Sequence, residues 1–237
     1  MGRYKIILWD VDGTLLNFLE AEKVAVRKCF EIFDMGICTD EMLKRYSDIN
    51  KRKWQALERK ELTKEEVLVG RYEEFFELEG LDKNMARPFN AEYQERLGDT
   101  CVINDDSYNL VKKLKSQGYY QCAVTNGTKV AQDRKLANSG FGELFDAVFI
   151  SDEIGHEKPS KEFFDYVFDK LELYMKANNI SMNEVIIVGD SLTSDIRGGN
   201  NAGIDTCWYN PDGNQKSINV NIDYEINNLC KVCDLLV

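Results

Sequence analysis

The segment Trp9-Asp10-Val11-Asp12-Gly13-Thr14-Leu15 decides the fold, because it places two carboxylates at the end of a short apolar run over residues 4–8. Such a run near the start of a chain is typical of a strand that is buried on both faces. Residues i and i+2 of an extended chain point the same way, so Asp10 and Asp12 are expected to share one side. Gly13 permits a turn directly after them, since glycine tolerates backbone angles that other residues avoid.

Two neighbouring carboxylates at a strand end favour particular chemistry. Like charges at short range raise the pKa of one of the two groups. A divalent cation relieves the repulsion, and so does a proton that one carboxylate retains. Both solutions suit phosphoryl transfer, which needs a metal, an acid and a nucleophile. The plainer alternative is a solvated Asp-Gly turn. An EF-hand calcium loop is excluded, because Ala21 occupies the position where that loop needs a glutamate.

The composition describes an acidic globular protein. The chain has 237 residues, of which 43% are hydrophobic, and a formal net charge of −11. It is therefore long and apolar enough to bury a core. The negative charge argues against nucleic acid or an anionic membrane as a partner. It remains compatible with a small anionic substrate that meets local positive charges and a metal.

The cysteines and the N-terminus favour a cytoplasmic protein. The seven cysteines are odd in number and scattered along the chain, as is typical of a reducing compartment. Cys230 and Cys233 form a single CxxC, which falls short of the four ligands of a structural zinc site. The N-terminal apolar run is too short for a signal peptide or a membrane span. The sequence leaves open whether the chain is a monomer or a homodimer.

The order of predicted elements indicates an α/β protein with an insertion. Helical periodicity dominates after Leu15 and predicts helices over residues 20–33, 41–46, 50–59, 64–78 and 82–97. From residue 105 helices alternate with strands: helices over 105–117, 128–139, 160–176 and 194–202, and strands over 119–124, 147–150, 185–188 and 206–209. This alternation predicts a doubly wound parallel sheet with right-handed crossovers. We therefore predict a core of residues 1–16 and 97–237 and an inserted α-helical cap over 17–96. The tail after Pro211 is expected to be turn-rich and to end in a helix.

Polar residues follow four predicted strands at the edge where open parallel sheets bind ligands. Taken alone, each group can have a purely structural role, as a turn, a surface lysine or the start of a helix. Their shared position makes coincidence a poor explanation. The groups are Asp10 with Asp12, Thr125-Asn126-Gly127, Lys158-Pro159, and Asp190 with Asp195.

These groups, in this order, resemble the four motifs of the haloacid dehalogenase-like hydrolase superfamily. The resemblance implies a Rossmann-like core with a helical cap and a Mg²⁺-dependent phosphatase. It implies that Asp10 is the nucleophile and Asp12 the general acid and base. It also implies that Asp10, the backbone carbonyl of Asp12 and Asp190 bind the metal, with Asp195 behind them. The residues that would bind the phosphoryl group are Thr125, Asn126 and Lys158.

A finer likeness concerns the substrate. The cap run from Tyr46 through Trp54 and the segment Gly70-Arg71-Tyr72 resemble the bacterial pyrimidine 5′-nucleotidases of this superfamily. The resemblance implies a nucleotide substrate, contacted in the cap by Asn50, Trp54 and Arg71. Tyr46, Tyr72 and Phe76 are further candidate flat faces for a base, although aromatics at helical spacing often form a core instead.

Rival functions follow from the same residues. A phosphoglycolate or sugar-phosphate phosphatase of the same superfamily is one alternative. A phosphosugar mutase is another, and it would share only the first half of the chemistry. Asp12 argues against a dehalogenase, which needs no such acid. A phosphoacceptor domain of the response-regulator type would not need the cap.

Overall fold

A computed structural model describes residues 2–236 of the chain. Its centre is one parallel sheet of six strands in the order β3-β2-β1-β4-β5-β6. Helices cover the sheet, so the expected doubly wound α/β class is confirmed. The strands are β1 Ile6–Trp9, β2 Tyr120–Thr125, β3 Ala147–Ile150, β4 Val185–Gly189, β5 Asp205–Tyr209 and β6 Tyr224–Ile226.

Strand β1 lies in the middle of the sheet, between β2 and β4. All four of its side chains are fully buried. Ile7 and Trp9 pack into the apolar cluster on one face, and Ile6 and Leu8 pack into the cluster on the other. This alternation explains the continuous apolar run, because both faces of a doubly wound sheet are covered. It also fixes Asp10 at the carboxyl end of the central strand.

The helices divide between the segment after β1 and the rest of the sheet. Buried aromatic side chains from four of the helices after β1 form one cluster, and these helices are α1 Phe18–Ile32, α2 Asp40–Glu58, α4 Gly70–Glu79 and α5 Ala86–Asp99. The predicted boundary between residues 96 and 97 falls inside α5, which also packs on α7 Lys129–Ser139. The other helices are α3 Lys64–Leu68, α6 Ser107–Ser116, α8 Ser151–Ile154, α9 Lys161–Ala177, α10 Arg197–Ala202 and α11 Val232–Leu235.

Four elements differ from the sequence prediction. The helices predicted over 41–46 and 50–59 are one helix, α2. Ser47 does not end this helix, because its hydroxyl donates a hydrogen bond to Glu22 on α1. The helix predicted over 64–78 is broken at Val69, directly before Gly70, a residue type of low helix propensity. The helix predicted over 194–202 begins as a π-helical turn, Leu192–Ile196, before α10. Strand β6 was not predicted, because three residues are too few to show a period of two.

Two expectations about the environment can be compared with the structure. Within residues 2–236, no helix is both long and apolar enough to cross a membrane. The seven cysteines are free thiols, including Cys230 and Cys233 near the C-terminus.

Candidate active site

The carboxyl ends of three adjacent strands bring the predicted residues together. Asp10 follows β1, Thr125 ends β2, and Asp190 follows β4. Lys158 enters from the segment between α8 and α9. All four residues line one cavity of about 750 Å³ between the sheet edge and the inserted helices.

Lys158 lies at the bottom of this cavity, with 1% of its surface exposed. Its ammonium donates to Asp10 Oδ1 at 2.8 Å, to Asp195 Oδ1 at 2.7 Å and to the carbonyl of Val124 at 2.7 Å. Burial lowers the pKa of Lys158, but the two carboxylates outweigh it and raise that pKa above its usual value. Lys158 is therefore a fixed positive charge beside Asp10.

Three carboxylates form the negative part of the site. Asp10, Asp190 and Asp195 each offer an oxygen, and these oxygens lie within 4.8 Å of one another. Burial, followed by the charge of Asp195, raises the pKa of Asp10 to about 7. Burial and then Asp10 raise the pKa of Asp190 well above its usual range. The buried Oδ2 of Asp10 has no hydrogen-bond partner within residues 2–236. An unpartnered oxygen among crowded carboxylates fits a hard divalent cation such as Mg²⁺.

The loop after β1 and the end of β5 hold Asp190 in place. Thr14 Oγ1 accepts from the Asp190 backbone N–H at 3.0 Å and donates to Asp190 Oδ1 at 3.2 Å. Trp208 Nε1 donates to the Asp190 carbonyl at 2.9 Å. Gly13 has φ of +96°, and a Cβ there would lie 2.7 Å from both carboxylate oxygens of Asp190. Glycine is thus required for the turn and for the approach of Asp190.

The residues at the end of β2 both line the cavity and hold Lys158 in place. Thr125 Oγ1 accepts from the Gly127 N–H at 3.2 Å and lies at the cavity. The Asn126 side chain bridges to the backbone of Lys158, with its amide donating to the Lys158 carbonyl at 2.9 Å and its oxygen accepting from the Lys158 N–H at 2.8 Å. The Asn126 side chain therefore braces the lysine, which leaves its backbone N–H as the group that can bind a phosphate.

Asp12 contacts two residues that the sequence analysis did not single out. Gln132 Nε2 donates to Asp12 Oδ2 at 2.6 Å, and the Lys135 ammonium donates to Asp12 Oδ1. Both residues lie on α7 and are buried. The sequence pattern that could have identified them is a glutamine and a lysine three residues apart on the inward, otherwise apolar face of a predicted helix.

The cap candidates line the same cavity in different ways. Trp54 is half-buried and faces the cavity. Asn50 donates to Glu22 Oε1 at 2.6 Å and accepts from Arg71 Nη1 at 2.8 Å. The Arg71 guanidinium also donates to Asn90 Oδ1 at 2.9 Å. Asn50 and Arg71 thus border the cavity, but their polar groups are engaged within the inserted helices.

The three further aromatic candidates do not reach the cavity. Tyr46, Tyr72 and Phe76 are fully buried in the aromatic cluster, and their flat faces pack on one another and on neighbouring rings. The rings of Tyr46 and Tyr72 stack with centroids 5.1 Å apart. Helical spacing does not distinguish a core aromatic from a ligand contact, and here the core interpretation is correct.

Comparison with known proteins gives a consistent family assignment. A family model described as haloacid dehalogenase-like hydrolase matches residues 7–209. The HAD-hydrolase YfnB of Bacillus subtilis is 34% identical over 100% of this chain and 97% of its own. A crystal structure of YfnB bound to magnesium superposes with a TM-score of 0.90, covering 99% of both chains. The pyrimidine 5′-nucleotidase PynA of Streptococcus pneumoniae is 33% identical over 98% of this chain and 95% of its own.

Proposed function

The chain belongs to the haloacid dehalogenase-like hydrolase family, and on that premise we propose that it is a Mg²⁺-dependent phosphomonoester hydrolase that forms an aspartyl phosphate on Asp10. One observation carries the proposal. The nucleophile candidate has an unpartnered buried oxygen, Oδ2, while Lys158 and two further carboxylates surround it.

Asp10, the backbone carbonyl of Asp12 and Asp190 would hold Mg²⁺, with Asp195 supporting Lys158. The cation supplies neutralisation of the phosphoryl oxygens and of the crowded carboxylates when it is bound. Lys158 adds a second positive charge, which lowers the repulsion between Asp10 and an anionic substrate. Thr125 and the backbone N–H of Asn126, which lie at the carboxyl end of β2, would bind the phosphoryl oxygens.

The chain's own residues then perform two displacements. An oxygen of Asp10 forms a bond to phosphorus while the bond to the leaving oxygen breaks, and Asp12 gives that oxygen its proton. Asp12, now ionised, takes a proton from water as the water attacks the aspartyl phosphate. Phosphate leaves, Asp10 is regenerated, and Asp12 is again protonated. No external oxidant or donor is needed.

We infer that the substrate is a pyrimidine nucleoside 5′-monophosphate. PynA and the Escherichia coli protein YjjG, which is 28% identical over 86% of this chain, are both named pyrimidine 5′-nucleotidases. Trp54 offers an accessible flat face to a base within the cavity. A Pyrococcus furiosus relative, 26% identical over 219 residues, is named a glyceraldehyde 3-phosphate phosphatase, so a sugar phosphate is the alternative.

Phosphate release from a panel of substrates tests both the Mg²⁺-dependent hydrolysis and the choice of a pyrimidine nucleotide as substrate. We expect uridine and thymidine monophosphates to exceed purine monophosphates, glyceraldehyde 3-phosphate and phosphoglycolate in kcat/KM. We also expect EDTA to abolish release and Asp190→Asn to raise the Mg²⁺ requirement sharply. A sugar phosphate that wins by tenfold would overturn the nucleotidase assignment alone. Activity that is indifferent to EDTA would overturn the metal assignment.

A further inference from the structure

The acid–base candidate Asp12 is held by one face of α7. Gln132 and Lys135 are three residues apart on that helix, so their side chains lie on the same side. Gln132 donates to one carboxylate oxygen of Asp12 and Lys135 donates to the other. Gln132 has 0% of its surface exposed and Lys135 has 1%. Two donors therefore define the direction of the Asp12 carboxylate.

The glutamine shows that this arrangement serves Asp12 and is more than a means of burying a lysine. Gln132 Oε1 is buried and has no hydrogen-bond partner in the described part of the chain. A buried acceptor that is left unpaired destabilises the folded chain. A charge pair between Lys135 and Asp12 would satisfy a buried lysine without any glutamine. The cost of the unpaired oxygen is explained if the role of the Gln132 side chain is to donate a hydrogen bond from its amide nitrogen to Asp12.

The phosphate-binding segment is shaped around the same glutamine. A Cβ at Gly127 would lie 2.1 Å from Gln132 Nε2 and 2.8 Å from its Cδ. The glutamine amide therefore occupies the space directly above this turn, between the turn and Asp12. Any side chain at position 127 would displace it.

Lys135 also meets the first residue of α1. Its Nζ lies 5.5 Å from the ring centroid of Phe18, at the start of α1. A cation at this distance is attracted to the ring. The lysine is thus held between the loop that carries Asp12 and the helix that follows that loop.

We propose that Gln132 and Lys135 are positioning residues that hold the Asp12 carboxylate for its acid–base steps. This inference rests on the proposed function. A misplacement of about 1 Å in a reacting group can lower a rate by about a hundredfold. We therefore expect Lys135→Met and Gln132→Met each to lower the rate of the steps that Asp12 assists about 10- to 100-fold.

The test is stopped-flow hydrolysis of p-nitrophenyl phosphate, whose leaving group needs no proton. The burst of nitrophenol counts competent sites, and the slower steady rate reports the hydrolysis of the aspartyl phosphate that Asp12 assists. We expect both variants to keep the burst amplitude and to lose the steady rate. Lys129→Met is the matched control, because Lys129 is an exposed lysine on the same helix that pairs with Asp133 and Glu153. It should behave as wild type.

A double-mutant cycle separates positioning from general damage. In an Asp12→Asn background, removal of Lys135 or Gln132 should lower the steady rate by less than about twofold, because their effect passes through Asp12. A reduced burst amplitude with an unchanged rate per site, or full additivity with Asp12→Asn, would overturn the inference. If Lys135→Met fails to fold, Gln132→Met decides alone. Wild type that releases no phosphate, or an active Asp10→Asn variant, would instead overturn the proposed function.

Discussion

Replacing Lys158 with methionine removes the ammonium that contacts both Asp10 and Asp195. The substitution keeps an unbranched side chain but removes the donor to two carboxylate oxygens and to the carbonyl of Val124. The lysine and Asp195 each have 1% of their side-chain surface exposed, so water does not replace the lost contacts easily. Breaking a buried ion pair by removing one partner costs about 3–5 kcal/mol.

We therefore expect Lys158→Met to lower the free energy of unfolding by about 3–5 kcal/mol in EDTA. For a chain of this size the melting temperature should fall by about 6–20 °C. The loss should shrink in Mg²⁺, because removing a neighbouring positive charge strengthens cation binding by the carboxylates. It should also shrink as the pH falls toward about 7, the value to which burial and Asp195 raise the pKa of Asp10 while Lys158 lowers it. Without the lysine that pKa lies higher, so Asp10 of the variant takes up a proton while the wild-type carboxylate is still ionised. Once protonated, that carboxyl no longer carries a buried charge.

Chemical denaturation at pH 8 and pH 6, with EDTA or Mg²⁺, measures these differences. Lys161→Met is the control, because Lys161 pairs with Asp165 on α9 and its side chain is 71% exposed. An exposed pair contributes about 0–1 kcal/mol. If Lys158→Met in EDTA at pH 8 lies within 1 kcal/mol of the control, the charge arrangement described for the site is wrong.

Three further predictions concern the cation and the substrate. Gly13→Ala should weaken Mg²⁺ binding in titration calorimetry far more than the control Gly36→Ala. Both glycines have positive φ, but only at Gly13 would a Cβ meet Asp190, at 2.7 Å. Equal Mg²⁺ affinities in the two variants would refute the close approach. Because a proton competes with the cation for Asp10, whose pKa is raised to about 7, Mg²⁺ affinity should fall about tenfold per pH unit below 7; a flat profile from pH 6 to 8 would contradict this. Trp54→Ala should raise KM about tenfold for uridine monophosphate, because base stacking contributes about 1–3 kcal/mol, while KM for glycerol phosphate stays constant. An equal rise in KM for both substrates would show that Trp54 does not select the substrate.

The cluster of candidate residues could be predicted because strand ends in a parallel sheet share one edge. Asp10, Thr125 and Asp190 each follow or end an apolar run, and the sheet brings them together whatever the exact packing of the helices. The burial of β1 on both faces likewise follows from its continuous apolar run. These inferences depend on local sequence and on one rule of topology.

The residues that were missed depend on long-range packing. Gln132 and Lys135 reach Asp12 because α7 packs against the start of the chain, more than a hundred residues away in sequence. The sequence left the role of Tyr46 and Tyr72 open for a related reason. A helical repeat does not show which face of a helix meets the cavity, and on α2 the cavity borders the face where Ser47 and Trp54 lie, while Tyr46 is buried in the core.

The aspartyl phosphate on Asp10 is the central claim, and trapping it is the most direct test. In Asp12→Asn protein, p-nitrophenyl phosphate can transfer its phosphoryl group without an acid, but the base for the second step is missing. We predict a stoichiometric burst of nitrophenol and, after acid quenching and peptide mass spectrometry, one phosphoryl group on the peptide that contains Asp10. Nitrophenol released together with an equal amount of free phosphate, with that peptide unmodified, would contradict the account.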